Sequence, residues 1–233
     1  MPGYYGYYYD PTYILVVIGA VLSLFASWRV NATFNRYSRV GNRSGRRAEE
    51  IAQFMLNDAG IYDVRIERVS GNLTDHYSPN EKVLRLSDSV YGSTSVAALG
   101  VAAHETGHAI QHNRGYVPVK IRSAIVPVVN IGSTLSWPII LAGLIFSAPL
   151  LLRAGIILFS LVVIFQLVTL PVEFDASGRA IKILRDRNLL YPDEVSGAKS
   201  VLWAAAMTYV AAMISAVLQL LRLVLIFGRR NDD

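Results

Sequence analysis

Four stretches of the chain are long, apolar and free of charged side chains, at 13–28, 123–152, 154–172 and 201–221. A helix that crosses a lipid bilayer needs about 20 mostly apolar residues. A single stretch of this kind could be a buried core helix, but a soluble domain of 233 residues is too small to bury four of them. The sequence therefore predicts an integral membrane protein.

The composition supports this prediction and excludes several other classes of protein. The chain is 53% hydrophobic and 17% charged, whereas soluble domains carry about 25% charged residues. A disordered chain would be poor in apolar residues. The absence of cysteine excludes a disulfide scaffold and a cysteine-ligated metal site. The net charge of +5 could suggest nucleic-acid binding, but the basic residues gather between the apolar stretches, which favours contact with anionic lipid instead.

The distribution of basic residues predicts an orientation in the plasma membrane. Thirteen Lys or Arg lie within 29–122 and five within 173–200, while 1–12 contains none. By the positive-inside rule, the two basic segments are cytoplasmic and the N-terminus lies outside. Arg229 and Arg230 would then lie outside as well, against the rule, so the side of the C-terminus stays open.

The expected fold is a mainly α integral membrane protein with about four transmembrane helices and a small α+β cytoplasmic layer. Within that layer the residue pattern predicts helices at 46–60 and 93–111 and strands at 63–69 and 82–86. The predicted segments are a Tyr-rich leader (1–12) suited to the lipid headgroup layer, a first transmembrane helix (13–30), a cytoplasmic α+β region (31–120), a transmembrane hairpin (121–172), a cytoplasmic helix that begins with Glu173 (173–200) and a last transmembrane helix (201–228).

The predicted helix at 93–111 carries a His-Glu-x-x-His pattern formed by His104, Glu105 and His108. Two histidines four residues apart project from the same helical face, so both imidazoles can reach one metal ion. Glu105 is next to them, where its carboxylate can take a proton from water. Gly107 costs about 1 kcal/mol in a helix interior, which favours a site helix packed closely against a neighbour over an incidental pair of histidines.

A catalytic zinc ion takes three protein ligands and keeps one position open. His112 lies too far along a straight helix to join the first two histidines, and His76 lies in a polar loop but is not excluded. Glu173, at the end of the third apolar stretch, is favoured over Asp175 as the third ligand. Both carboxylates could instead serve only as favourable charges at a helix N-terminus.

Four segments together resemble a known protease family over nearly the whole chain: AAHETGHAIQH at 102–112, EFDASGRA at 173–180, YDPTYIL at 9–15 and NLTDHYSP at 72–79. They resemble the HtpX and CAAX prenyl protease membrane gluzincins, and more closely the YugP-like membrane neutral zinc metallopeptidases. The resemblance implies that His104, His108 and Glu173 hold one zinc ion and that Glu105 is the general base. It also implies that the cytoplasmic α+β layer is a zincin-like (gluzincin) catalytic layer. The HtpX-type segment has an Asp where this chain has Ser177, so support for a ligand would come from another residue such as Asp175.

The predicted function is a zinc metalloendopeptidase that cleaves peptide bonds of membrane or membrane-proximal proteins at the cytoplasmic face. Its transition state needs a donor for the developing oxyanion. Candidates are Arg179, His76, Tyr77 and Tyr209. If the strand at 82–86 is an edge, it could bind an extended substrate by strand addition.

Two other functions stay open. A non-catalytic membrane adaptor could retain a structural metal site, although such a site needs no base like Glu105. An intramembrane protease of the site-2 type would carry an acidic ligand within a later apolar stretch, and these stretches contain none.

Overall fold

The computed structural model describes residues 10–228, which form six helices and one three-stranded sheet. In chain order these are α1 (Tyr13–Tyr37), α2 (Ala48–Asp58), β1 (Arg65–Val69), β2 (His76–Ser78), β3 (Val83–Ser87), α3 (Val96–Asn113), α4 (Val117–Ile145), α5 (Pro149–Asp186) and α6 (Pro192–Gly228). The fold is thus mostly helical with a small sheet. The first nine residues of the Tyr-rich leader, together with Arg229 and Arg230, lie outside the described residues.

Four of these helices, α1, α4, α5 and α6, are long and apolar enough to cross a membrane, as the sequence predicted. Helix α5 has 38 residues and is about 57 Å long, nearly twice the thickness of a hydrocarbon core. Only its stretch at 154–172 is free of charge. The last third of α5 therefore extends beyond the apolar layer, and the predicted segment at 173–200 consists of this extension, a short turn and the beginning of α6.

The sheet decides the condition on which strand addition at 82–86 depended. Strand β3 pairs with β1 in parallel and with β2 in antiparallel orientation, so the strand order is β1-β3-β2. Strand β3 is therefore the central strand and is paired on both sides, so it is not an edge that could receive a substrate strand. Val83, Leu84 and Leu86 of β3 are fully buried, which suits a central position. The free edges of the sheet belong to β1 and β2.

Helix α3 runs through a buried core, between α2, α5 and α6. The Ser95 hydroxyl caps its N-terminus by accepting a hydrogen bond from the Ala98 N–H at 3.2 Å. The alanines of α3 are buried, and their small side chains allow the neighbouring helices to pack closely against it. At Gly107 a Cβ atom would lie 2.6 Å from the Ala176 carbonyl oxygen of α5. Gly107 thus permits the close backbone contact that its position in the motif predicted.

The helices α1 and α6 pack along each other. The Ser215 hydroxyl donates to the Gly19 carbonyl at 2.9 Å and lies 3.1 Å from the Ser23 hydroxyl. Farther along, Arg222 donates to Asp10 at 3.1 Å and covers the Tyr13 ring. Asp10 and Tyr13 thus accommodate the Arg222 guanidinium near the end of an apolar helix, while its Nε has no hydrogen-bond partner among residues 10–228.

Candidate metal centre

Three potential ligands from two helices, α3 and α5, meet in the structure. The Nε2 atom of His104 lies 3.3 Å from Glu173 Oε2, and that of His108 lies 3.5 Å from the same oxygen. The ligand atoms of the three residues all lie within 4.8 Å of one another. The Glu173 side chain is only 3% exposed. The backbone contact at Gly107 holds α3 against α5 and so brings this carboxylate to the two histidines.

The ring of His108 is oriented by Gln111, which is fully buried. The Gln111 amide nitrogen donates to the Val172 carbonyl at 2.8 Å and to Asp175 Oδ2 at 2.7 Å. Its oxygen therefore faces His108 Nδ1, at 3.0 Å, and must accept a hydrogen bond from it. Because Nδ1 carries this proton, the lone pair of Nε2 in the neutral ring points toward Glu173.

The ring of His104 is supported by Ser177, whose hydroxyl lies 3.0 Å from His104 Nδ1. Ser177 is the position at which the HtpX-type segment has an Asp. The shorter serine thus maintains a hydrogen bond to the ligand itself. Asp175, which was expected to take over that support, acts instead on the other histidine through Gln111.

The chemistry of these groups fits a bound cation. Glu173 Oε2 is buried and has no hydrogen-bond partner among residues 10–228, although leaving such an acceptor unpaired costs about 1–3 kcal/mol. Burial by itself would lower the pKa of His108, but the carboxylates of Glu173 and Glu105 outweigh it and raise that pKa. Two imidazoles and a carboxylate are the ligands of a catalytic zinc site. His104, His108 and Glu173 could therefore hold zinc.

Two cavities meet beside these three residues. A polar cavity of about 340 Å³ lies between β2, α3, α4, α5 and α6. A more apolar cavity of about 250 Å³ lies between α1, α3, α5 and α6. Both are lined by Asp75, Glu105, Glu173 and Tyr209. Glu105, the expected base, therefore borders both cavities.

The structure separates the candidate oxyanion donors into two groups. His76, Tyr77 and Tyr209 line the polar cavity, as does His112. The metal-ligand cluster found among residues 10–228 contains neither His76 nor His112. Arg179, in contrast, donates to Asp175 at 2.5 Å and 3.2 Å and stacks over the Tyr116 ring. Through Asp175, Arg179 is linked to Gln111, which holds His108. It is absent from the described lining of both cavities.

Two further residues of the cleft carried no clear signal in the sequence. Asp75 accepts hydrogen bonds from the Ser87 N–H and hydroxyl at 2.7 Å and 2.8 Å. Burial nevertheless raises the pKa of Asp75, with an added contribution from the charge of Glu105. Arg122 lies on α4, and its Nη1 is 3.5 Å from Glu173 Oε1. One hint of Arg122 was present in the sequence. It directly precedes the apolar stretch at 123–152, and Glu173 directly follows the stretch at 154–172, so the two residues would lie at the same end of a helical hairpin.

Comparison with known proteins agrees with this centre. A family profile described as "Putative neutral zinc metallopeptidase" matches residues 12–228. The chain is 44% identical over 222 residues to the "Putative membrane protease YugP" of Bacillus subtilis (strain 168), a match that covers 95% of this chain and 99% of that protein. No solved structure matches the chain. The extent of both matches shows that the chain belongs to this neutral zinc metallopeptidase family.

Proposed function

We propose that the protein is a membrane zinc endopeptidase that hydrolyses peptide bonds of membrane or membrane-proximal proteins. One observation carries the proposal: three converging ligand atoms lie beside Glu105 at the junction of two cavities. A zinc ion held by His104, His108 and Glu173 would supply Lewis-acid activation of the peptide carbonyl and of water. The family match and the name of the Bacillus subtilis relative support the same reaction class.

Glu105 is proposed as the general base. It lines both cavities, so its carboxylate is within reach of a peptide that spans them. It would take the proton from the attacking water and then deliver it to the leaving amine, as a single carboxylate does in general acid–base catalysis. Tyr209 lines the same junction, and its hydroxyl is proposed to donate to the developing oxyanion.

The two cavities suggest how an extended substrate would lie. One side of the scissile bond would occupy the apolar cavity, which includes Val30, Phe34 and Val101. The other side would occupy the polar cavity beside β2, whose outer edge is free among the described residues. Main-chain pairing with that edge would bind many sequences through the backbone alone. In this role β2 replaces β3, which lies in the middle of the sheet.

The proposed site lies at the membrane surface rather than within the bilayer. Helix α3, which carries both histidines, is not among the four helices suited to span a membrane. Glu173 follows directly after the uncharged stretch at 154–172. The basic residues of 29–122 and 173–200 support a cytoplasmic location for this face. A substrate would reach the cleft from the membrane surface and not from the centre of the bilayer.

The roles can be tested by measuring bound zinc and proteolysis in purified variants, with fluorescence-quenched peptides as substrates in detergent micelles. Glu105→Gln should retain zinc but lose activity by about 100-fold or more, because the base is lost and the ligands stay. Glu173→Ala should lose most of both. Glu67→Gln, on the outer strand β1, is the matched control and should change neither.

Full proteolysis in Glu105→Gln would contradict the assignment of the base. Full zinc content in Glu173→Ala would contradict the third ligand. A wild-type protein that binds zinc tightly and cleaves none of the peptides would instead favour the non-catalytic membrane adaptor, which retains a structural metal site but does not hydrolyse peptides.

A further inference from the structure

Gly178 differs from every other glycine in the described helices. Seven of the eight helical glycines within 10–227 have a protein atom within 3.4 Å of the place where a Cβ would lie. Gly178 has none within 4 Å, although it lies in the interior of α5. Glycine costs about 1 kcal/mol there relative to alanine, and close approach of another group is its usual reason. At Gly178 no group of the described chain makes that approach.

Gly178 lines a surface groove of about 310 Å³ between α5 and α6. The floor of the groove is apolar and includes Phe174, Ile181 and Trp203. The rings of Phe174 and Trp203 lie 5.9 Å apart, and Trp203 is 52% exposed. The groove thus has an exposed apolar floor, and Gly178, which has no side chain, leaves space above that floor.

The rim of the groove is basic. Lys182, Arg185 and Lys199 line it, and no acidic residue does so among those described. Arg185 donates to Asp186 at 2.9 Å. For Lys182 and Lys199, no carboxylate oxygen lies within 4.0 Å in residues 10–228. The two lysines can therefore bind an external anion without breaking an ion pair.

The groove lies where two charge-free stretches end, at 172 on α5 and at 201 on α6. Phe174 comes two residues after the apolar stretch that ends at 172, and Trp203 is the third residue of the stretch at 201–221. Tryptophan favours the boundary between hydrocarbon and headgroups. The three cations lie on the charged sides of these boundaries, where lipid phosphates are found. Basic pockets between membrane helices bind anionic headgroups in this way.

From these observations we infer that the groove between α5 and α6 is a binding site for an anionic phospholipid. One acyl chain lies along Phe174, Gly178 and Trp203, and the phosphate contacts Lys182 and Lys199. The site is separate from the metal ligands and does not depend on proteolysis. It shares Ser177, Leu202 and Ala206 with the apolar catalytic cavity, so a bound lipid would contact one wall of that cavity.

Because the groove shares a wall with the apolar catalytic cavity, an apolar segment of a substrate could compete with the lipid for the groove. The positive charge of the rim favours the lipid. On the cytoplasmic face proposed above, segments next to a membrane span carry an excess of lysine and arginine, which the basic rim would repel. A phospholipid phosphate brings the opposite charge.

The test uses Trp203 as the probe in the full-length protein carrying Trp28→Phe and Trp137→Phe. The protein is reconstituted in phosphatidylcholine vesicles with equal small fractions of brominated phosphatidylglycerol or brominated phosphatidylcholine, and quenching of Trp203 fluorescence is measured. The brominated anionic lipid should quench more strongly. Lys182→Gln and Lys199→Gln should each lower its relative affinity about fivefold. Arg29→Gln with Arg36→Gln, which removes two cations next to the membrane on α1, should not.

Gly178→Leu provides a second variant that tests the groove itself. Its Cβ meets no protein atom within 4 Å and leucine favours a helix over glycine, so the chain should still fold, which its Tm checks, while the leucine displaces the acyl chain and removes the selective quenching. Equal quenching by the two brominated lipids, or selective quenching that survives Gly178→Leu, would overturn the proposal. Equal quenching combined with loss of peptide cleavage in Gly178→Leu would assign the groove to the substrate instead.

Discussion

At the scale of single residues, the metal centre depends on the hydrogen-bond partner of Nδ1 in each histidine, the ring nitrogen that faces away from Glu173. Gln111 accepts from His108, and Ser177 lies against His104. Metal-bound histidines are usually oriented through their other ring nitrogen, and loss of such a partner lowers metal affinity. Gln111 lies three residues after His108 and thus on the same helical face, which is a signal the sequence contained. Ser177 was recognised only as a departure from a family pattern.

We predict that Gln111→Leu lowers the affinity for zinc by about 10- to 100-fold, because His108 loses its acceptor and Asp175 loses a donor. The dissociation constant can be measured by competition with a chelator. Because Gln111 is fully buried, Ser177→Ala provides a milder variant that should shift the affinity in the same direction. Gln53→Leu, which removes an exposed glutamine on α2, is the control. Unchanged zinc affinity in both site variants would rule out this supporting role.

At the scale of elements, the contact between α3 and α5 is the one on which the site depends. It joins the helix with both histidines to the helix with Glu173, and Gly107 permits it. The strand order of the sheet is a property of this scale that the residue pattern does not predict. An alternating strand such as β3 reveals that one face is buried, but its alternation does not tell which strands lie on either side.

Two glycines allow a matched test of this contact. Gly107→Ala places a methyl group against the Ala176 carbonyl, so we expect destabilisation of about 1–3 kcal/mol from overpacking and a weaker zinc site. Gly178→Ala gains helix propensity with no clash, so it should be neutral or stabilising by up to about 1 kcal/mol. Thermal unfolding in detergent measures both. Equal Tm values for the two variants would show that the close approach at Gly107 does not limit stability.

At the scale of the whole molecule, the four helices suited to cross a membrane determine which loops share a side. If α1, α4, α5 and α6 all cross, the beginning of α1 and the end of α6 lie on the side opposite the layer formed by α2, the sheet and α3, which is the catalytic layer of the proposed function. The turn between α4 and α5 lies on the same side as these two helix ends. The excess of basic residues in 29–122 and 173–200 predicts that the layer is cytoplasmic and that the turn is outside.

The chain contains no cysteine, so single cysteines can report on this topology through a membrane-impermeant maleimide. Ser147→Cys, in the turn between α4 and α5, should react in intact cells. Tyr62→Cys, at an 80% exposed position of the catalytic layer, should react only after lysis. Both variants should label fully in detergent, which controls for access to the thiol. The reverse pattern would place the catalytic layer outside the cell.

The sequence by itself determined the properties that are local along the chain. The four membrane helices follow from uninterrupted apolar stretches, because hydrocarbon tolerates few charges. The histidine pair follows from helical periodicity, because residues four apart share a face. Only the tertiary structure brought Glu173 and Ser177 to the histidines and Arg122 to Glu173, placed β3 in the middle of the sheet and left a groove at Gly178. These contacts join residues far apart in the chain, 73 positions in the case of His104 and Ser177, and they depend on how whole helices pack.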